Sequence, residues 1–293
     1  MAAHDYLDEK ETRTAQGFRK RTPLQAVVTI GGYVLLTATA LTMMYPFLWM
    51  VSTSLKPLSE VQSGQFLPME WRFGNYAEVI RTIPFGRYYF NSVFVAAWVT
   101  FGQVLTSAAA AYAFSRLRWK MRDQVFLLYL ATLMVPGLVT LIPNYWVLTT
   151  LKLINTYTVL ILPACFSAYG TFLLRQFMLT IPTSLDEAAE IDGASHWQIF
   201  WDVVMPLARP GLIVLAIFTF MGNYQSFFWP LVMIKDDFLR TLPIGLLYFD
   251  STYGRETTLL MAASVMAMIP LIVLFVVGQR FFVRGIQLGA VKG

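Results

Sequence analysis

Six stretches of this chain run for 22 residues or more without a single Asp, Glu, Lys or Arg: 22–55, 88–115, 124–151, 153–174, 210–234 and 257–279. About 20 apolar residues in a helix cross the hydrocarbon core of a bilayer. Inside the bilayer the backbone must satisfy its own hydrogen bonds, which leaves helices or closed barrels as the choices. Runs of this length predict helices. With 57% hydrophobic and 13% charged residues, the chain also lies far from a soluble domain, where charged residues make up about 25%. The expectation is an all-α, polytopic membrane protein with six transmembrane helices.

Basic residues then set the orientation, because Lys and Arg accumulate on the cytoplasmic side. Six crossings place 14 of the 22 Lys and Arg residues on the side that holds both termini and 8 on the other. Both termini and the segment 182–205 are therefore expected to be cytoplasmic. The net charge of +5 reports this bias and not a nucleic-acid partner. Residues 1–23 are too long and too charged to be a cleavable signal and read as a cytoplasmic tail. Residues 24–86 read as the first transmembrane helix with an outer loop, 87–285 as a five-helix core, and 286–293 as a C-terminal tail. Pro136 and Pro143 in the third run should kink or break that helix, which places it beside protein or a wet cavity.

Some chemistry is missing. There is no G-x-x-x-x-G-K-[ST] phosphate loop, so ATP and Mg would have to be bound by another polypeptide. Two histidines and one cysteine, Cys165, offer neither a metal cluster nor a Cys/His nucleophile pair. The six runs hold no ionisable relay, which argues against an ion-coupled secondary carrier and against an intramembrane enzyme. The chain is expected to bind no cofactor and to catalyse no reaction itself.

The segment 184–206, SLDEAAEIDGASHWQIFWDVVMP, is charged and lies between apolar runs. Ser184 with Glu187, and again Ser195 with Gln198, fit the capping-box spacing that opens a helix. Asp186 and Glu187 suit the positive end of a helix, and Gly193 suits a left-handed stop. Trp197, Phe200, Trp201 and Val204 fall at helical spacing as an apolar stripe, and Pro206 marks the turn into the fifth run. The spacing predicts helix, sharp turn, helix. Read from its chemistry alone, the segment fits an interfacial amphipathic hairpin equally well.

Glu187-Ala188-Ala189, three residues, Gly193, nine residues, then Val203, Met205 and Pro206 resemble the EAA loop of ATP-binding-cassette importer permeases, E-A-A to Gly to I-x-L-P. Val and Met stand at two positions where the pattern has Ile and Leu. The stretches TSLKP (53–57), NSVFVA (91–96), MVPG (134–137), IP (142–143), INTY (154–157) and FFVRGIQLGAVKG (281–293) extend the likeness to the smaller permease of the maltose-type carbohydrate importers. The resemblance implies the type I importer permease fold, in the plasma (inner) membrane of a prokaryote. It implies four kinds of contact: a second permease subunit, two ATPase subunits, an extracytoplasmic solute-binding protein and the lipid bilayer. It implies that Glu187, Ala188, Ala189, Glu190, Asp192, Gly193 and Pro206 couple to the ATPase. It also implies that Gly285, Gly289 and Gly293 permit an extended tail to reach between the ATPase subunits. The implied cargo is a carbohydrate: an oligosaccharide, polyol, sugar phosphate or acidic oligosaccharide.

Polar side chains within a membrane run face a bundle interior. Asn223, Tyr224, Gln225 and Trp229 are the candidates for a solute path, since amides donate and accept and aromatic faces stack on sugar rings. Hydrogen bonding between helices explains them equally well. By resemblance, the outer loop 236–257, with FDSTYG at 249–254, would probe a docked binding protein.

Overall fold

The computed structural model describes the backbone of residues 23–251 and 254–290, and the side chains of 27–250 and 256–279. It divides into two units, Met1–Ser52 and Thr53–Gly293. Within the first unit runs most of α1 (Pro23–Ser54). This helix is apolar all round, and Val28, Leu35 and Leu36 are each about two-thirds exposed. A helix greasy on every face is made for a non-aqueous surround. The Thr39 and Thr42 hydroxyls donate back to the carbonyls of Leu35 and Ala38, both at 2.9 Å, which satisfies both groups within the helix.

The second unit opens with a folded loop. Lys56 is buried and its ammonium donates to the Gln65 carbonyl. The Glu60 carboxylate accepts from the N–H groups of Met69 and Glu70. Asn75, on α2 (Gly74–Thr82), donates to the carbonyls of Ser54 and Lys56. Next comes α3 (Phe85–Ser115), an unbroken 31-residue helix about which the unit is built. It is followed by α4 (Arg122–Ala131), α5 (Leu141–Thr150), α6 (Tyr157–Ile161) and α7 (Ala168–Leu179). Then come α8 (Ser184–Ile191), α9 (His196–Leu207), α10 (Arg209–Tyr224), α11 (Phe228–Met233) and α12 (Leu242–Gly245). A two-residue ladder pairs β1 (Asp250–Ser251) with β2 (Gly254–Arg255) before α13 (Thr257–Ala290).

Small residues let α3, α7 and α10 approach closely, as helices in lipid must to gain packing energy. A Cβ added at Gly170 would lie 2.6 Å from the Ser107 hydroxyl and 3.3 Å from Leu215, and one at Gly211 would lie 2.7 Å from the Phe177 ring. Ala108, Ala111, Leu174, Met178, Leu215 and their neighbours form one core, and Val95, Val99, Leu148, Val159 and Met233 belong to another.

Among the described residues four helices are long and apolar enough to cross a membrane: Val27–Ser54, Phe85–Ser115, Tyr157–Leu179 and Thr257–Gln279. A fifth arises if α9 and α10, bent by 76°, count as one. Two of the six uncharged runs are not continuous helices among the described residues, and the break expected in the third run is present at Pro136. Pro136 forces Val135 into extended backbone (φ −82°, ψ 116°) and stops the helix there. Pro143 is harmless, because it lies in the first turn of α5, where no N–H is required. The 210–234 run is interrupted at 225–227, between α10 and α11.

Two motifs that carried the family likeness prove to be hydrogen-bond anchors. Asn91 donates to the carbonyls of Phe238 and Arg240, each at 2.8 Å, and accepts from the Tyr157 hydroxyl at 2.7 Å. Asn155 takes a left-handed φ of 63°, and its side-chain oxygen accepts from the N–H groups of Lys235 and Asp236. Together they pin the loop before α12. The tail expectation needs correcting up to Ala290: Gly285 and Gly289 lie within α13, not in extended chain. Extending an existing helix gains one hydrogen bond per residue, which offsets the cost of about 1 kcal/mol for a helical glycine. Gly293, like residues 1–22, lies outside the described residues.

Candidate functional site: the elbow at 184–206

The chain enters the elbow through Pro182 and Thr183. Thr183 is already helical (φ −67°, ψ −22°), and its carbonyl accepts from the N–H groups of Asp186 and Glu187. Ser184 is therefore inside the helix, and the capping box expected from Ser184 and Glu187 does not form. The helix ends as Gly193 requires. Its φ is 84°, its N–H donates to the Glu190 carbonyl (3.0 Å), and the Ala194 N–H donates to the Ala189 carbonyl (2.9 Å). This pair of bonds is the Schellman arrangement. No atom lies within 4 Å of where a Cβ at Gly193 would sit. The constraint there is backbone conformation, not space.

The second capping box is present. The Ser195 N–H donates to the Gln198 side-chain oxygen at 2.8 Å, and the Gln198 N–H donates to the Ser195 hydroxyl at 3.4 Å. Beyond it, Ile199–Val204 is wound as a π-helical turn. Pro206 accounts for this, since its ring would collide with the carbonyl four residues back and it has no N–H to donate. The wider turn splits the expected stripe. Phe200 and Val204 are buried together with Ile199, while Trp197 and Trp201 are turned outward, 67% and 38% exposed. The Phe200 ring is gripped by Tyr112, Trp197 and Trp201, with centroids 5.0–5.8 Å apart.

Of the predicted coupling residues, Glu187, Ala188, Glu190, Asp192, Gly193 and Pro206 are exposed. Ala189 is half-buried against the core beneath the elbow. Ile191 at the tip is 86% exposed. It was not among the predicted contacts, although an isoleucine two residues before a helix-ending glycine is a signal that could have found it.

The root of the elbow rests on a residue that sequence reasoning used only as an orientation charge. The Arg116 side chain is 4% exposed. Its Nη2 donates to the carbonyls of Met178 (2.7 Å) and Ile181 (2.9 Å), and its Nη1 lies 3.1 Å from Oδ2 of Asp186. One turn earlier, the Tyr112 hydroxyl donates to the His196 carbonyl at 3.1 Å. Burial pushes the Asp186 carboxyl above the usual carboxylate range; Arg116 opposes this in part, and Glu190 and Glu187 reinforce it. A second pair steadies the neighbouring corner. Arg175 reaches Asp123 at 3.4 Å, donates to the Phe114 carbonyl, and lies 4.2 Å over the Phe126 ring.

The candidate solute residues separate. Tyr224 is buried, stacks on Phe220 and donates to the Ala267 carbonyl at 2.9 Å; it ties α10 to α13. Gln225 is exposed. Asn223 and Trp229 do come together, with Ser226 and Thr241, around a cavity of about 300 Å³. Even there some polar groups are spent within the chain. The Asn223 amide donates to the Thr219 carbonyl, and the Trp229 indole N–H donates to the Val159 carbonyl.

Helices apolar and long enough to cross a membrane carry between them an exposed, rigidly rooted elbow. The chain belongs to the family of binding-protein-dependent transport system inner membrane components, whose sequence pattern matches residues 102–288. It is 31% identical over 280 residues to the arabinooligosaccharides transport system permease protein AraQ of Halalkalibacterium halodurans, covering 94% of this chain and 99% of that one. It is 38% identical over 205 residues to the sn-glycerol-3-phosphate transport system permease protein UgpE of Yersinia pestis, covering 69% and 73%. In structure it is similar to a chain of a bacterial ABC transporter involved in the import of the acidic polysaccharide alginate. The TM-score is 0.79 at 25% identity, with 90% of this chain and all of that one covered.

Proposed function

We propose that this chain is the permease subunit of an ATP-driven, binding-protein-dependent importer of a carbohydrate or sugar-like solute. It crosses the plasma membrane of a prokaryote six times, with both termini and the elbow in the cytoplasm. On this reading the broken segment 122–150 and α10 with α11 complete the crossings that the other four spans begin. A second permease completes the pathway, two ATPase subunits bind ATP and Mg, and an extracytoplasmic protein delivers the solute. The single observation that carries the proposal is the elbow tip. Glu187, Ala188, Glu190, Asp192 and Ile191 stand exposed on a helix locked by Gly193 and rooted on buried Arg116. On this reading Ile191, 86% exposed beside three carboxylates, is the part of the elbow that meets an ATPase subunit.

In the cycle, ATP closes the ATPase dimer, which is bound better by one arrangement of the permeases than by the other, and this difference drives the change of access. The cargo class follows the solutes of the relatives, arabinooligosaccharides and sn-glycerol-3-phosphate. Purification from membranes in mild detergent tests the assembly. The chain should bring down a second permease and an ATPase, and ATP hydrolysis by that complex should rise with solute-loaded binding protein. A chain that purifies alone and drives uptake from a proton gradient overturns the proposal.

A further inference from the structure

Arg116 and Tyr112 occupy consecutive turns at the end of α3, and among the described residues they supply the side-chain hydrogen bonds and ion pair between the elbow and another helix. Each holds a different arm: Arg116 holds α8 through Asp186, and Tyr112 holds α9 through the His196 carbonyl. Both elbow helices are thus fastened to one rod. That rod is unbroken. Along its length Val95 lines the cavity shared with Asn223, Ser226 and Trp229, and Asn91 and Ser92 hold the backbone of Phe238, Arg240 and Leu242. From Arg116 to Val95 is about 30 Å at 1.5 Å per helical residue. The neighbouring candidates for such a rod are interrupted, at Pro136, at 162–167 between α6 and α7, and at the 76° bend between α9 and α10. A rigid helix is the kind of element that carries displacement between distant sites.

We infer that α3 carries movement of the elbow to the cavity and to the outer loop before α12, with Arg116 as the positioning residue that engages Asp186 and Tyr112 as a second link. The Arg116 grip is one bond short of a full fork, since Nε of Arg116 and Oδ1 of Asp186 are buried without a hydrogen-bond partner. A grip of that kind can re-seat without being dismantled.

This inference rests on the importer reading above, and the test separates the two. The assembled complex, with second permease, ATPase and binding protein, is compared as wild type, Asp186→Asn and Tyr112→Phe. Each carries a cysteine at Ser226 with Cys165 replaced by serine. ATP trapping should change the labelling rate of the Ser226→Cys thiol in the otherwise wild-type complex. In Asp186→Asn that ATP-dependent change, and the stimulation of hydrolysis by loaded binding protein, should shrink by about two- to thirtyfold, the span seen for changes along a coupling route. Assembly and basal hydrolysis should persist. Tyr112→Phe removes one hydroxyl and should act in the same direction with a smaller effect, so a failure of Asp186→Asn to assemble leaves it to decide. Assembled variants with wild-type responses overturn the role of α3. A wild type that shows no response to ATP or binding protein overturns the importer reading instead.

Discussion

At Gly193 and at Gln225 the chain interrupts a helix in a polar stretch, and the two interruptions are used in opposite ways. At Gly193 the backbone satisfies itself through two Schellman bonds, and the neighbouring side chains, Glu187, Glu190, Ile191 and Asp192, are left exposed. At 223–229 the side chains serve the fold: Tyr224 binds α13, Trp229 binds α6, and Asn223 folds back on its own helix. A break whose side chains are spent internally is a joint of the scaffold. One whose side chains are spare is a surface for something else. Polar character alone does not tell them apart, but the destination of each hydrogen bond does.

Substitutions can sharpen this contrast, and the largest effect is expected beneath the elbow. Phe200→Ala empties a buried aromatic site at a cost of about 3–5 kcal/mol. It should lower the thermal stability of the purified complex and abolish stimulation by the binding protein together. Gly193→Val is next. It forces a β-branched residue toward φ 84°, which costs about 1–3 kcal/mol. It should reduce coupling in reconstituted vesicles while the complex remains assembled, and wild-type coupling would break the assignment of the elbow. Tyr224→Phe removes one buried hydrogen bond, worth about 1 kcal/mol. The melting temperature should fall slightly with the KM for solute unchanged. A marked change in KM would return Tyr224 to the solute path. Asn223→Ala should show the converse, a modest rise in KM for solute with the ratio of ATP hydrolysed to solute moved left as in wild type. Ile191→Ala should be the mildest for stability, since the side chain touches little of its own chain, and should show only as weaker retention of the ATPase on purification.

How far the sequence could be read depended on how local the physics was. Gly193 and the Ser195–Gln198 box were legible because a positive φ and a cap are settled within a few residues. The box at Ser184 failed for a local reason as well, since Pro182 and Thr183 start the helix one residue early. The uncharged runs marked every apolar segment, yet Pro136 and the turn at 225–227 decide which of them stay continuous. Arg116 was not legible. Its carbonyl partners lie 62 and 65 residues ahead in the chain, and nothing in RLRWKMR distinguishes the one buried arginine from the exposed Arg118 and Lys120. Nor could Tyr224 be separated from Asn223 by residue type, because both are polar groups on one turn, and only the position of α13 assigns them different tasks.

The π-helical turn at Ile199–Val204 gives the elbow a fixed phase. A helix is a screw thread, and one residue advances it by about 100°. A π turn amounts to one extra residue absorbed without lengthening the path. The same residues wound as ordinary α-helix would swing the Gly193 tip around the axis of α9 by roughly that angle, aiming Ile191 and its carboxylates away from whatever they now face. The winding of this short segment, more than its composition, sets the direction in which the chain presents its handle.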